Sequence, residues 1–195
     1  MILRHLFFVL LLLIFVNSAL AEKILQKKSQ TGGDIIETVF EDGDNEFQYL
    51  KKVSHYDPAG HKIKDESFIL RNDYNQLGLE KTVKTYNRQG RLIQVEIVFR
   101  KEKALTVGYD RLVLFYDQQG NHKRTDVHFR DAFLDEQIYS LSRSFYDLSG
   151  VKTRTVYFFT GRLTKITGYH RIIEQYDRHG NKISEQILDK DGNIH

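Results

Sequence analysis

Tyr116-Asp117-Gln118-Gln119-Gly120-Asn121-His122-Lys123-Arg124-Thr125 is the stretch that decides the fold, because its first five residues recur along the chain at a constant spacing of thirty. The same Tyr-Asx-x-x-Gly unit stands at Tyr56-Asp57-Pro58-Ala59-Gly60, Tyr86-Asn87-Arg88-Gln89-Gly90, Tyr146-Asp147-Leu148-Ser149-Gly150 and Tyr176-Asp177-Arg178-His179-Gly180. A fixed period of this size marks a repeat architecture, in which each unit is one supersecondary element that needs its neighbours for burial.

Each unit encodes a hairpin. The Asx side chain opens the turn, Pro58 presets φ at the second position of the first copy, and the glycine supplies a left-handed residue at the fourth. That is a type I turn closed by a G1 bulge, a connection between antiparallel strands. Flanking segments such as Leu92-Ile93-Gln94-Val95-Glu96-Ile97-Val98-Phe99 are rich in β-branched residues and show no sustained helical period. The pattern predicts an incoming strand at about Tyr49 to Tyr56 and an outgoing strand at about His61 to Leu70, repeated every thirty residues. Loose connections, such as Arg71 to Gly78 and Arg100 to Gly108, are expected between hairpins.

Upstream, Asp34-Ile35-Ile36-Glu37-Thr38-Val39-Phe40 reads as the outgoing strand of a degenerate first unit within residues 22–47. The expected fold is all-β: one domain over 22–195, an antiparallel meander of five hairpin repeats (48–195) plus that N-terminal unit, about eleven or twelve strands in all. So long a sheet must twist, and curling into a half-barrel or barrel is one expected outcome. Asp189-Lys190-Asp191-Gly192-Asn193 reads as a last turn that leaves an edge to protect.

A straight ladder running back from each turn would pair Tyr56 with Lys62, His55 with Ile63 and Tyr49 with Ile69. On that register the odd-numbered face has 24 apolar residues in 40 positions and the even-numbered face 15 in 40. The odd face is therefore the expected core, with cross-strand pairs Tyr109 to Phe129 and Tyr139 to Phe159 and an aliphatic group of Val83, Ile93, Val95 and Ile97.

At the N-terminus Arg4 and His5 precede an apolar run from Leu6 to Val16 and the segment Asn17-Ser18-Ala19-Leu20-Ala21. These are the parts of a secretory signal peptide, residues 1–21, cut after Ala21. The apolar run is too short to span a bilayer. A periplasmic or secreted mature chain of 174 residues is expected, and its lack of cysteine means that it relies on packing rather than disulfides. The formal charge of +3 is spread among residues of both signs and carries no nucleic-acid signature. A membrane-spanning barrel is disfavoured because Leu79-Glu80-Lys81-Thr82-Val83-Lys84 places charge on both faces of one strand. Lipid penalises each such residue by about 2 to 4 kcal/mol at the midplane.

Two columns of residues could bind a ligand. Seven positions before the motif tyrosines stand Tyr49, Tyr109, Tyr139 and Tyr169, and five before them stand Lys51, Lys81, Arg111 and Arg171. Aromatic and basic columns running across a sheet suit an anionic or sugar-bearing ligand, by stacking, cation-π contact and charge pairing. The motif residues Tyr56, Asp57, Gly60, Tyr86, Gly90, Tyr116, Asp117, Gly120, Tyr146, Asp147, Gly150, Tyr176, Asp177 and Gly180 are read as structural. No cofactor and no metal are expected: the turn geometry already employs the aspartates, and His122 and His128 lie about 20 Å apart along one strand. His-Glu-x-x-His, phosphate-loop and Gly-x-Ser-x-Gly motifs are all absent, so no catalytic residue is assigned.

The Tyr-Asp-x-x-Gly core followed by a basic or polar stretch resembles the YD repeats of Rhs-type proteins and the MORN-variant hairpin repeats of bacterial secreted proteins, over roughly residues 48–195. The period here is longer than is usual in either family. The resemblance implies an envelope or secreted β-repeat protein used for binding, encapsulation or scaffolding, and no active site. The function expected is non-catalytic binding or scaffolding of a protein partner or an envelope glycan or lipid. A curled barrel holding an apolar or anionic amphipathic ligand is one alternative, and an envelope hydrolase with paired carboxylates is another.

Overall fold

Every Tyr-Asx-x-x-Gly unit closes a hairpin by one set of bonds. At the first, the Asp57 N–H donates to the His61 carbonyl and the Gly60 N–H to the Asp57 carbonyl, both at 2.9 Å. Asp57 Oδ1 accepts the Ala59 and His61 N–H groups, each at 2.9 Å, so the side chain mimics a further turn of backbone. Asn87, Asp117, Asp147 and Asp177 repeat this, and the motif glycines have φ between +75° and +91°. Ser29 to Gly33 and Asp189 to Asn193 close on the same backbone pattern outside the thirty-residue period.

The computed structural model describes residues 23–40, 49–69, 77–129 and 139–195. Its strands are β1 (Lys23–Lys28), β2 (Asp34–Val39), β3 (Tyr49–Tyr56), β4 (Lys62–Ile69), β5 (Leu79–Tyr86), β6 (Leu92–Phe99), β7 (Tyr109–Tyr116), β8 (His122–Phe129), β9 (Tyr139–Tyr146), β10 (Lys152–Phe159), β11 (Tyr169–Tyr176) and β12 (Lys182–Asp189). They form one antiparallel meander in chain order. The barrel alternative fails here, because β1 and β12 remain separate edges. The outer side of β12 is taken by the chain's own end: Leu188 bridges Ile194, and the His195 N–H donates to the Ile187 carbonyl at 3.0 Å.

Two connections expected as loose loops are helical. The first, α1 (Lys101–Val107), joins β6 to β7, and α2 (Gly161–Thr167) joins β10 to β11. Gly108 and Gly168 end them at φ +84° and +75°, and the Thr160 hydroxyl caps α2 by accepting the Leu163 N–H. Most of the connection expected from Arg71 to Gly78, and all of 41–48 and 130–138, lie outside the described residues. Arg100, ahead of α1, donates to the Ile69 carbonyl through Nη2 and to the Leu79 carbonyl through Nε, tying the ends of β4 and β5 together.

The register agrees with the sequence reading at both ends of each hairpin and departs from it between them. Tyr56 pairs with Lys62 and Tyr49 with Ile69, but His55 pairs with Lys64, not Ile63. One bulge on the outgoing strand (Ile63) and one on the incoming strand (Leu50) slip the ladder by a residue and then restore it. The slips recur in the hairpins β5–β6, β7–β8, β9–β10 and β11–β12. A one-residue slip exchanges faces, so the odd and even faces do not exist as such. Val83 lies on the face opposite to Val95 and Ile97, while the pairs Tyr109 to Phe129 and Tyr139 to Phe159 form as expected.

One face collects the Lys51, Val53, His55, Lys64, Glu66 and Phe68 positions of each repeat; the other collects the Tyr49, Lys52, Ser54, Tyr56, Lys62, Asp65, Ser67 and Ile69 positions. We term them the basic face and the tyrosine face. The tyrosine face has 23 apolar residues in 40 repeat positions, the basic face 12 in 30. Yet Val83, Val113, Val156 and Leu188, the buried apolar residues of the strands, all belong to the basic face, where long charged side chains arch over them. No large side chain among the described residues is fully buried. The sheet is a single layer, each face half-exposed.

Candidate functional site

On the basic face, cations and phenyl rings interleave. Lys51 donates to Glu37 at 3.0 Å and lies 4.8 Å from the Phe68 ring centre; Lys81 lies 5.7 Å from the same ring and 4.0 Å from Glu66. Arg111 Nη1 reaches Glu96 at 3.4 Å, and its Nη2 donates to His128 Nδ1 at 3.1 Å. Burial first, and Arg111 second, hold the His128 ring below its ordinary value, which keeps it neutral and able to accept.

From β8 onward the balance shifts. Arg124, Arg143, Arg154 and Arg171 occupy paired positions of the basic face on β8 to β11, and Asp126 is the one carboxylate there. Asp126, its side chain 5% exposed, binds Arg143 through two oxygens and lies 3.2 Å from Arg124 Nε. Arg124 stacks on Phe115 at 3.6 Å, and Arg154 stacks on Phe145 at 4.2 Å. Arg154 and Arg171 have no carboxylate partner among the described residues, and the Nε of Arg171 is buried without a hydrogen-bond partner. α2, which follows β10, carries Arg162 and Lys165 and no carboxylate.

In the middle of the sheet, over β5 to β7 and next to β8, a depression of about 450 Å³ opens beneath α1. The bulge residues Glu80 and Asp110 line it with Glu96, Lys101 and Arg111, three carboxylates against two cations.

The tyrosine face is held by hydrogen bonds at its two flanks. Asp65 accepts from Ser54 at 2.6 Å, Tyr86 at 3.0 Å and Lys62 at 3.1 Å. Burial alone would raise the Asp65 carboxyl, but these donors outweigh it and hold the group low, while burial and the bond to Asp65 push Tyr86 up to about 12. Glu174 plays the same part near the far edge, accepting from Tyr157, Tyr176 and Lys182. Between the flanks rings meet rings: Phe99 with Tyr109 at 5.5 Å, His122 with Tyr146 at 4.4 Å, Tyr139 with Tyr157 at 4.8 Å.

The two candidate columns are thereby parted. Tyr49, Tyr109, Tyr139 and Tyr169 stand on the tyrosine face, against Ile69, Phe99, Phe159 and their neighbours; Lys51, Lys81, Arg111 and Arg171 stand on the other. The intervening bulge separates residues only two apart in sequence. Arg124, Arg143 and Arg154 were not among the candidates, although Arg124 and Arg154 share one place in the thirty-residue period. No three His, Asp or Glu side chains among the described residues converge as metal ligands, and no described helix is long and apolar enough to cross a membrane.

No protein-family model and no curated protein sequence matches the chain.

Proposed function

We propose that the protein is an exported, non-catalytic repeat module that binds an anionic envelope polymer along the C-terminal half of its basic face. The observation that carries this reading is the set of four arginines on β8 to β11 with one carboxylate among them, two of them stacked on phenylalanine rings. Guanidinium groups fixed on aromatic faces present planar donors to carboxylate, sulfate or phosphate groups with little further loss of side-chain freedom. The strand-to-strand spacing repeats the arrangement about every 10 Å across the sheet, two strands per hairpin. A polymer laid across the strands thus meets a cation at each step. The expected export directs this surface to a charged glycan rather than to nucleic acid, and the likeness to YD-type and MORN-variant repeats fits a binding role.

Titration of the mature chain with dextran sulfate and with neutral dextran tests this. Binding to the sulfated polymer should weaken steeply as salt rises, since exposed charges are screened beyond about 8 Å at physiological ionic strength. The double variant Arg154→Gln/Arg171→Gln should bind at least about tenfold more weakly. Equal binding to both polymers, or binding unmoved by the double variant, overturns the reading.

A further inference from the structure

The depression beneath α1 is built from residues that the equivalent places in the array lack. Each incoming strand from β3 onward carries one bulge residue near its start, in turn Leu50, Glu80, Asp110, Ser140 and His170. Carboxylates stand there only on β5 and β7, the two strands that flank β6, and both line the depression. A bulge re-aims its side chain, so these two acids depart from the faces that the ladder sets. α2 supplies the comparison, because it lies sixty residues on, at the same place in the repeat. There Ser140, Val156 and His170 stand where Glu80, Glu96 and Asp110 stand beneath α1, while Arg111 is matched by Arg171. The helix and its flanking strands therefore form without the three carboxylates.

We infer that this depression binds the ammonium group of a primary amine carried on an apolar stem. Its volume, about 450 Å³, falls in the range of small-molecule sites. Val98, Phe99 and Ala104 give it an apolar lining, and Ala104 is 1% exposed. Three carboxylates against Lys101 and Arg111 leave one negative charge, which one ammonium balances. Arg111 is already engaged, by Glu96 at 3.4 Å and His128 at 3.1 Å. Glu80 and Asp110 have no hydrogen-bond or ion-pair partner among the described residues. They stand on strands about 10 Å apart, and a cation seated over β6 lies between them. An anion there would face like charges. No three acidic or histidine side chains among the described residues converge as metal ligands, which favours an organic cation whose stem covers the apolar lining.

Titration of the isotope-labelled mature chain with pentylamine, followed by amide chemical shifts, tests this. Saturable shifts are expected at millimolar amine in α1 and at the adjoining ends of β5, β6 and β7, and they should weaken as salt rises. Pentanol and pentanoate should give none. Glu80→Gln/Asp110→Asn should weaken amine binding at least about tenfold and leave the circular dichroism spectrum unchanged, since neither carboxylate holds another described residue. Val98→Phe keeps every charge but fills the space, and Phe158 shows that the repeat accommodates phenylalanine at that place. It should abolish binding. Nα-acetyl-lysine amide separates the sources of the amine: shifts with it as well assign a polypeptide side chain, and shifts with pentylamine alone assign a free small amine. Either result upholds the site. Absence of saturable shifts, an equal response to pentanol, or binding that either variant leaves unmoved overturns the inference. These variants leave the arginines of β8 to β11 in place, so failure here is separate from failure to bind dextran sulfate.

Discussion

Arg143 grips Asp126 across β8 and β9 through two parallel bonds, Nε to Oδ1 at 3.0 Å and Nη2 to Oδ2 at 2.8 Å. Asp126 is the buried member of the pair and also lies beside Arg124, so one carboxylate neutralises two guanidiniums. Asp126→Asn should cost about 2 to 3 kcal/mol in urea unfolding, because it leaves partly buried cations uncompensated. The same change should strengthen binding to dextran sulfate by freeing both arginines. Loss of stability together with loss of binding would contradict the assignment of this face.

Glycine substitutions should divide by position. Gly120→Ala meets open space, so its cost is that of a non-glycine residue at φ +91°, about 1 kcal/mol. At Gly33 an added Cβ would fall 1.9 Å from the Tyr56 carbonyl oxygen, where the backbone of β3 leaves no room. Gly33→Ala should therefore detach the first hairpin, seen as rapid hydrogen exchange confined to β1 and β2.

Acid should loosen the turns. Asp57 is held low chiefly by the His61 N–H, and Asp117 and Asp177 chiefly by the Asn121 and Asn181 side chains. A carboxyl held below its unfolded value contributes stability that is fully present above about pH 4 and is lost as pH falls through the lower folded value. Melting temperature measured downward from pH 5 should drop, and Asn87, which carries no charge in the same turn geometry, should make the second hairpin the least affected.

At the alkaline end the sign reverses. Tyr86, raised to about 12, favours the protonated folded state, so its contribution persists below about pH 10 and is lost between pH 10 and 12. Absorbance titration of phenolate should show a late-ionising fraction, which Tyr86→Phe reduces and which denaturant abolishes.

Arg100 fastens two strand ends through their carbonyls. Arg100→Met should destabilise the protein by about 2 kcal/mol and raise exchange at the ends of β4 and β5, since two partly buried carbonyls lose a charged donor. Lysine, with one point donor, should recover only part of the loss.

The hairpins were legible in the sequence because Asp, Gly and Tyr at fixed spacing state both the turn and its direction. The faces were not. Ile63, Ile93 and Ile183 fill the bulge position with residues that look like core, and a straight ladder through them gives a convincing apolar face that does not form. The two slips cancel, so checks at Tyr49 and Tyr56 alone could not reveal them. The helices were hidden for another reason: seven residues are two turns, too few for a period to show, and only Gly108 and Gly168 marked where they stop. The arginine site depended on the faces. Once Lys64 is paired with His55, its counterparts Arg124 and Arg154 fall beside Asp126 and the phenylalanines.

Cancelling slips have a further consequence for how this protein can change over generations. A duplication or loss of one whole hairpin returns every downstream side chain to its own side of the sheet, whereas a single inserted residue within a strand inverts it. Genes of this kind can therefore grow or shrink in thirty-residue steps, altering the reach of the array by about 10 Å each time without redrawing either surface.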